Sequence, residues 1–361
     1  MERKDFAFNK GSKKVSLFLE SLKAMGRGSR SFFSCAAIVW ATFFFAPITL
    51  AQVPTGTSSG ASYPQRPVKI IVPFAPSGPN DLIARIMAQK LGDWSGRAFV
   101  VENRGGAGGT IGVDAGLKAP ADGYTLIMGG SSNLAVAPSF YKKLPYDSLR
   151  DLAFISNCAF VPYVVVVNPR VPAKNIRELV RIAKTRSGFL SYGSSGTGSM
   201  SSLAVELMNA TMATQITHVP YKGTVPALTD VMTGQIDLMA ADFATVASLA
   251  QSGRLRMLAA AGSKRTHAAP ELPTVAESGY PGYAVDAWFG LVSSIKTAPD
   301  ILSKLTQAVR QIVQSPEVRS RFEQLGYDPI GNTAHEFEAM VRADIEKFAR
   351  VIQAAGIQPI P

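Results

Sequence analysis

Cysteine and histidine are scarce in this chain: 2 and 3 among 361 residues. Cys35 and Cys158 are the only thiols, which rules out a disulfide framework or a thiolate metal site. The histidines, His218, His267 and His335, are not spaced with Cys, Asp or Glu as metal ligands, and no H-E-x-x-H occurs. Nor is there a nucleophile elbow, since Gly193-Ser194-Ser195-Gly196-Thr197 ends on Thr where G-x-S-x-G needs Gly. The glycine-rich run Gly105-Gly106-Ala107-Gly108-Gly109-Thr110 lacks the Lys-Ser/Thr ending of a phosphate loop. No Lys/Arg block interleaved with aromatics suggests nucleic acid, and no repeat or heptad pattern appears. No catalytic residue, metal or cofactor is expected.

The longest apolar run, residues 32–46, is interrupted only by Ser34 and Thr42 and is shorter than the ~20 residues of a membrane span. Basic residues precede it, and Thr49-Leu50-Ala51 supplies a small-x-Ala cleavage site. Residues 1–51 are therefore expected to be a cleaved signal peptide taking the protein to the periplasm. Met25 would give a leader of more usual length. No cysteine stands directly after the cleavage point, where Gln52 lies, so no lipid anchor is expected. Without the leader's 8 basic and 3 acidic residues, 29 basic and 23 acidic remain, net +6. That charge is compatible with a weak preference for anions. Cys158 then stands alone, flanked by Ile155, Ala159 and Phe160, and is expected to be a buried, inert thiol.

Residues 52–65, rich in Gly, Ser, Thr and Pro, read as a flexible N-terminus. From Pro67 strands and helices alternate, the pattern of α/β structure. Strands are expected at 68–74, 98–102, 124–128, 161–167, 190–194, 216–221, 236–239, 255–261 and 288–293. Helices are expected at 82–91, 109–117, from 176, and at 199–212, 225–233, 300–314 and 334–355. A loop is expected at 129–133. The apolar run at 161–167 suggests a buried strand leaving the first domain, and 288–293 one returning to it. The expected domains are 66–165 with 286–361, and 166–285, joined by two crossing strands.

Two strand-turn-helix units carry the chemistry. One runs from Val68 through Phe74-Ala75-Pro76-Ser77-Gly78 to Asp81, the other from Leu190 through Ser194-Ser195-Gly196-Thr197-Gly198 to Ser199. Such turns aim backbone N–H groups and the positive end of a helix dipole at whatever lies above the strand. Ser194, Ser195 and Thr197 add hydroxyls, although a plain tight turn fits the spacing equally well. Asn80 or Asp81 would either cap the helix or fix the loop. Ser131, Ser132 and Asn133 follow a strand's carboxyl end, where open sheets bind ligands. Tyr221-Lys222-Gly223 sits similarly, with Lys222 either pairing a carboxylate or lying in solvent. Asp242 would accept from a ligand amine or hydroxyl, or bond neighbouring backbone. His218 reads as a packed strand residue, and Trp288 and Phe289 as core.

The ordered motifs over residues 63–357 resemble the Bug family, the extracytoplasmic solute receptors of tripartite tricarboxylate transporters. They include Tyr63-Pro64-Gln65-Arg66-Pro67-Val68-Lys69-Ile70-Ile71-Val72-Pro73-Phe74-Ala75-Pro76, Val101-Glu102-Asn103-Arg104-Gly105-Gly106-Ala107-Gly108-Gly109 and Asp122-Gly123-Tyr124-Thr125-Leu126. Leu144-Pro145-Tyr146-Asp147, Tyr192-Gly193-Ser194-Ser195-Gly196, His218-Val219-Pro220-Tyr221-Lys222-Gly223 and Leu272-Pro273-Thr274-Val275-Ala276-Glu277-Ser278-Gly279 complete them. The resemblance implies a two-domain periplasmic binding protein of Venus-flytrap form, each domain a mostly parallel sheet flanked by helices. It implies a monomer whose cleft closes on a small carboxylate for membrane permease subunits, with a sensor kinase as the alternative partner. An amino-bearing or uncharged solute is the alternative ligand. The residues expected at the ligand are Phe74, Ala75, Ser77, Gly78, Asp81, Ser131, Ser132, Ser194, Ser195, Gly196, Thr197, Tyr221, Lys222, Gly223 and Asp242. Two departures stand out: Pro76-Ser77-Gly78 replaces the family's Pro-Gly-Gly, and Ser202 stands where relatives carry His.

Overall fold

The computed structural model describes residues 63–185 and 188–360. The expected leader and residues 52–62 of the expected tail lie outside the described residues. Tyr63 is already part of the fold: its hydroxyl donates to the Gly123 carbonyl at 2.6 Å and its ring packs edge-on against Tyr124.

Alternating β-branched and helix-periodic segments build two sheets. The chain runs β1 (Val68–Val72), α1 (Pro79–Ser95), β2 (Phe99–Asn103), α2 (Thr110–Leu117) and β3 (Thr125–Gly130). In α1, Ile83, Met87 and Leu91 recur every four residues, so one stripe is buried, and Gly96 at φ 67 ends the helix in the left-handed region. A wide helical turn over Ser132–Val136 leads into the short α3 (Ala137–Phe140), so the loop expected at 129–133 is divided between the end of β3 and this turn. Then come β4 (Leu152–Val161) and β5 (Tyr163–Val167). The apolar run therefore belongs to two strands, because Pro162 has no N–H to continue either ladder. The chain changes sheet there.

The second sheet gathers α4 (Ile176–Thr185), β6 (Ser191–Ser194), α5 (Met200–Met212), β7 (Thr217–Pro220), α6 (Thr224–Thr233), β8 (Leu238–Asp242), α7 (Phe243–Gln251) and β9 (Arg256–Ala260). The return is β10 (Ala287–Ser294), followed by α8 (Pro299–Gln314), α9 (Pro316–Gln324), β11 (Asp328–Pro329) and α10 (Ala334–Ala354). Thr333 and Glu336 close a capping box on α10.

The first sheet has the order β11-β4-β10-β3-β1-β2, the second β7-β6-β8-β5-β9. Each joins parallel strands to an antiparallel crossing strand, β10 in one and β5 in the other. Both are mixed sheets, so the fold is a two-domain α/β architecture. Cys158 is fully buried in β4, and burial pushes its thiol up to about 12. One bond joins the lobes near the crossing strands: the Tyr327 hydroxyl, just before β11, donates to Asp242 at the end of β8, 3.0 Å away.

Candidate functional site

A small cavity of about 20 Å³ lies where the carboxyl ends of both sets of parallel strands meet. Phe74, Ala75, Gly78, Pro79, Asn80, Ser132 and Phe289 from the first lobe line it, with Tyr163, Ser195, Met200 and Thr224. That volume holds about one water molecule, well under the ~300 Å³ at which small-molecule sites begin. The lobes must part to admit a ligand.

Three helices point their N-termini at this cavity. α1 starts behind Gly78 and α6 behind Gly223, neither with a side-chain cap. Pro79 occupies the first position of α1, so the open donors there are the N–H groups of Asn80 and Asp81. α5 is capped by Ser199, which accepts from Ser202 N–H. Its open donors are the N–H groups of Met200 and Ser201. These partial positive ends converge with the hydroxyls of Ser132, Ser195 and Thr224, and no Asp or Glu lines the cavity. The arrangement favours an anion.

The first turn is organised by Asp81. Its carboxylate accepts from Ser77 N–H (3.0 Å), Arg85 Nε (2.8 Å) and Asn103 Nδ2 (2.9 Å). Burial raises its pKa, but these bonds together outweigh burial and hold the carboxyl below its usual range. Asp81 thus fixes the loop. Ser77 is exposed, away from the cavity, and adopts φ 69, a left-handed conformation. A side chain is disfavoured in that conformation, and the serine is strained. Ser77→Gly is expected to stabilise the protein by about 0.5–1 kcal/mol, the strain relief less the added freedom of the unfolded chain. Thermal denaturation reads this as a rise of about 2 °C.

In the second turn the serines mostly bond one another. Ser195 N–H donates to Ser201 Oγ (2.9 Å), and Gly196 N–H donates to Ser194 Oγ (3.2 Å). Those two N–H groups, expected to face ligand, therefore shape the turn; Ser195 lines the cavity, with its Oγ 3.0 Å from Ser201 Oγ. Thr197 turns its carbonyl to the first lobe, where Tyr141 Oη donates to it at 2.8 Å. Tyr221 donates its hydroxyl to Asp230 at 2.5 Å, away from the cavity, and Lys222 is exposed. Asp242 caps α7, accepting from Thr245 N–H (3.1 Å) and Thr245 Oγ1 (2.7 Å), and does not line the cavity. Ser131 is buried with no hydrogen-bond partner for its hydroxyl.

Glycines bring the lobes together. A Cβ on Gly223 would lie 2.7 Å from Ala75 Cβ, and one on Gly108 would lie 2.9 Å from the Thr197 carbonyl oxygen. Pro79, Asn80, Tyr163, Met200, Thr224 and Phe289 line the cavity although sequence reasoning did not name them as ligand residues. The signal for Thr224 was a helix start directly after Gly223. A larger hollow of about 680 Å³ lies at the far end of the second sheet, between Asn168, Arg181 and Phe189. No helix N-terminus converges on it.

Among the described residues no helix is long and apolar enough to cross a membrane, and no group of three His, Cys, Asp or Glu could hold a metal ion. Residues 83–357 match the family model of the tripartite tricarboxylate transporter family receptor. The protein BugT of Bordetella pertussis is 36% identical over 299 residues, 82% of this chain and 92% of that one. The solved periplasmic binding protein BugD is 32% identical with a TM-score of 0.79, covering 82% of this chain and all of that one. An R. palustris protein solved with adipate is 32% identical with a TM-score of 0.80, covering 83% of this chain and all of that one. MatC from Rhodopseudomonas palustris, solved with bound malate, is 29% identical with a TM-score of 0.77, covering 80% of this chain and all of that one. These relatives are binding proteins rather than enzymes, and this chain belongs with them to the Bug family of tripartite tricarboxylate transporter receptors.

Proposed function

We propose that this protein is a periplasmic receptor that captures a small carboxylate between its lobes and delivers it to the permease subunits of a tripartite transporter. The observation that carries the reading is the convergence of three helix N-termini, two of them capped only by glycine, on one interlobe cavity. Buried helix starts without side-chain caps need an acceptor, and a carboxylate supplies several lone pairs. The carboxylates bound by the adipate and malate proteins support the same class. Phe74, Ala75, Gly78, Ser132 and Ser195 are the expected residues that line the cavity, and we assign them ligand contact. Segments 66–165 with 286–361, and 166–285, move as the two lobes. The leader at 1–51 accounts for export.

Isothermal titration of the purified protein against adipate, malate, citrate, glutamate and an uncharged polyol tests the reading. At least one acid is expected to bind with micromolar affinity or better while the polyol does not. Binding of the polyol alone would overturn it.

A further inference from the structure

We propose that His218 is a positioning residue for the turn at 194–199, acting as the acceptor that fixes the Ser194 hydroxyl. This rests on the reading of that turn as part of the carboxylate site. β7 pairs in parallel with β6, placing His218 beside Tyr192 in register. Successive side chains on a strand alternate faces, so Tyr192 and Ser194 share one face and His218 is diagonal to Ser194. The imidazole stacks on Tyr192 with ring centroids 4.6 Å apart and planes at 13°. Its Nε2 lies 2.6 Å from Ser194 Oγ.

A serine hydroxyl has one proton and two lone pairs. Ser194 Oγ already accepts from Gly196 N–H at 3.2 Å, so its proton is free to go to His218 Nε2. Burial lowers the His218 pKa, which keeps the ring neutral and able to accept. With the proton committed to His218, a lone pair faces Gly196, which sits at φ 130 in the turn. The Ser194 carbonyl meanwhile accepts from Tyr221 N–H at 3.0 Å. The imidazole thus sets the angle at which Ser195 and the start of α5 meet the cavity, without touching ligand. Tyr192 in turn is held by a short hydrogen bond to Glu206 on α5.

Two variants separate this role from packing. His218→Phe keeps an aromatic face for Tyr192 but removes the acceptor; His218→Gln restores an acceptor without the ring. Amide hydrogen exchange at Gly196 and titration with adipate and malate are measured on both variants and the wild type. H218F is expected to lose about tenfold of Gly196 protection and about tenfold of affinity, the scale of one hydrogen bond. H218Q is expected to recover most of both. Unchanged Gly196 protection in H218F, or H218Q no better than H218F at equal melting temperature, would overturn the proposal. If none of adipate, malate, citrate and glutamate binds the wild type while Gly196 exchange responds as described, the carboxylate reading fails and the positioning role stands.

Discussion

Gly223→Val is expected to weaken carboxylate binding about 100-fold, equivalent to about 2.7 kcal/mol, while leaving the melting temperature of the ligand-free protein within a degree or two. Gly223 has φ 170, extended backbone that any residue adopts, so valine introduces no strain within its own lobe. The conflict is across the cleft, where its Cβ would meet Ala75 Cβ at 2.7 Å. Two carbon atoms prefer about 3.5–4.0 Å, and valine adds two further methyls, so closure must stop short. The open helix donors of α1 and α6 then cannot reach one bound anion together. Titration calorimetry gives the affinity, and small-angle scattering gives the contraction on ligand addition, which the variant should lose. Wild-type affinity together with wild-type contraction would show that the lobes do not close along this contact.

Asp242→Ala is expected to be the most destabilising single change outside the apolar core, at about 3 kcal/mol. Removing an N-cap costs about 1 kcal/mol, and stranding the buried Tyr327 hydroxyl adds roughly 1–3 kcal/mol. Tyr327→Phe, which removes the donor instead, should cost only about 1 kcal/mol, and a double-mutant cycle isolates the shared bond. Burial raises the Asp242 pKa above its usual value, with the bonds from Thr245 and Tyr327 opposing it. A carboxyl raised in the folded state favours folding while protonated, and that contribution fades as pH climbs through the raised value. The gap between wild type and D242A should therefore be widest in acid and narrow as pH rises. Urea melts across that range measure it; a gap that widens with pH would contradict the assignment.

How far local pattern reaches is clear from particular elements. α1 and α10 were legible from apolar spacing, α10 nearly to its ends, whereas α1 runs three to four residues beyond 82–91 on either side. β4 was missed because Ser156 and Asn157 interrupt its apolar run, yet both are fully buried. Their partners are remote: Ser156 Oγ donates to the Asn332 carbonyl at 2.7 Å, and Asn332 Oδ1 accepts from Asn157 N–H at 2.9 Å. Nothing within 170 residues announces that pairing. α7 was missed although one of the two roles read for Asp242, bonding neighbouring backbone, is the one it plays as the cap of that helix. At the site, main-chain turns could be seen coming, but Tyr163 and Phe289 reach the cavity through the crossing strands β5 and β10. Their position depends on topology rather than on any neighbouring motif.

The placement of β10 has an implication for biogenesis. It lies between β3 and β4, pairing with both, although it follows them by well over a hundred residues. Until Ala287–Ser294 emerges, the earlier half of that sheet has an empty slot at its centre and two unpaired strand edges. Long-range insertion of this kind slows folding and leaves a nascent polypeptide open. A chain that cannot finish its first lobe before its last quarter is synthesised keeps β3 and β4 exposed until then, and a truncation before Ala287 would leave two sticky borders rather than a smaller folded lobe.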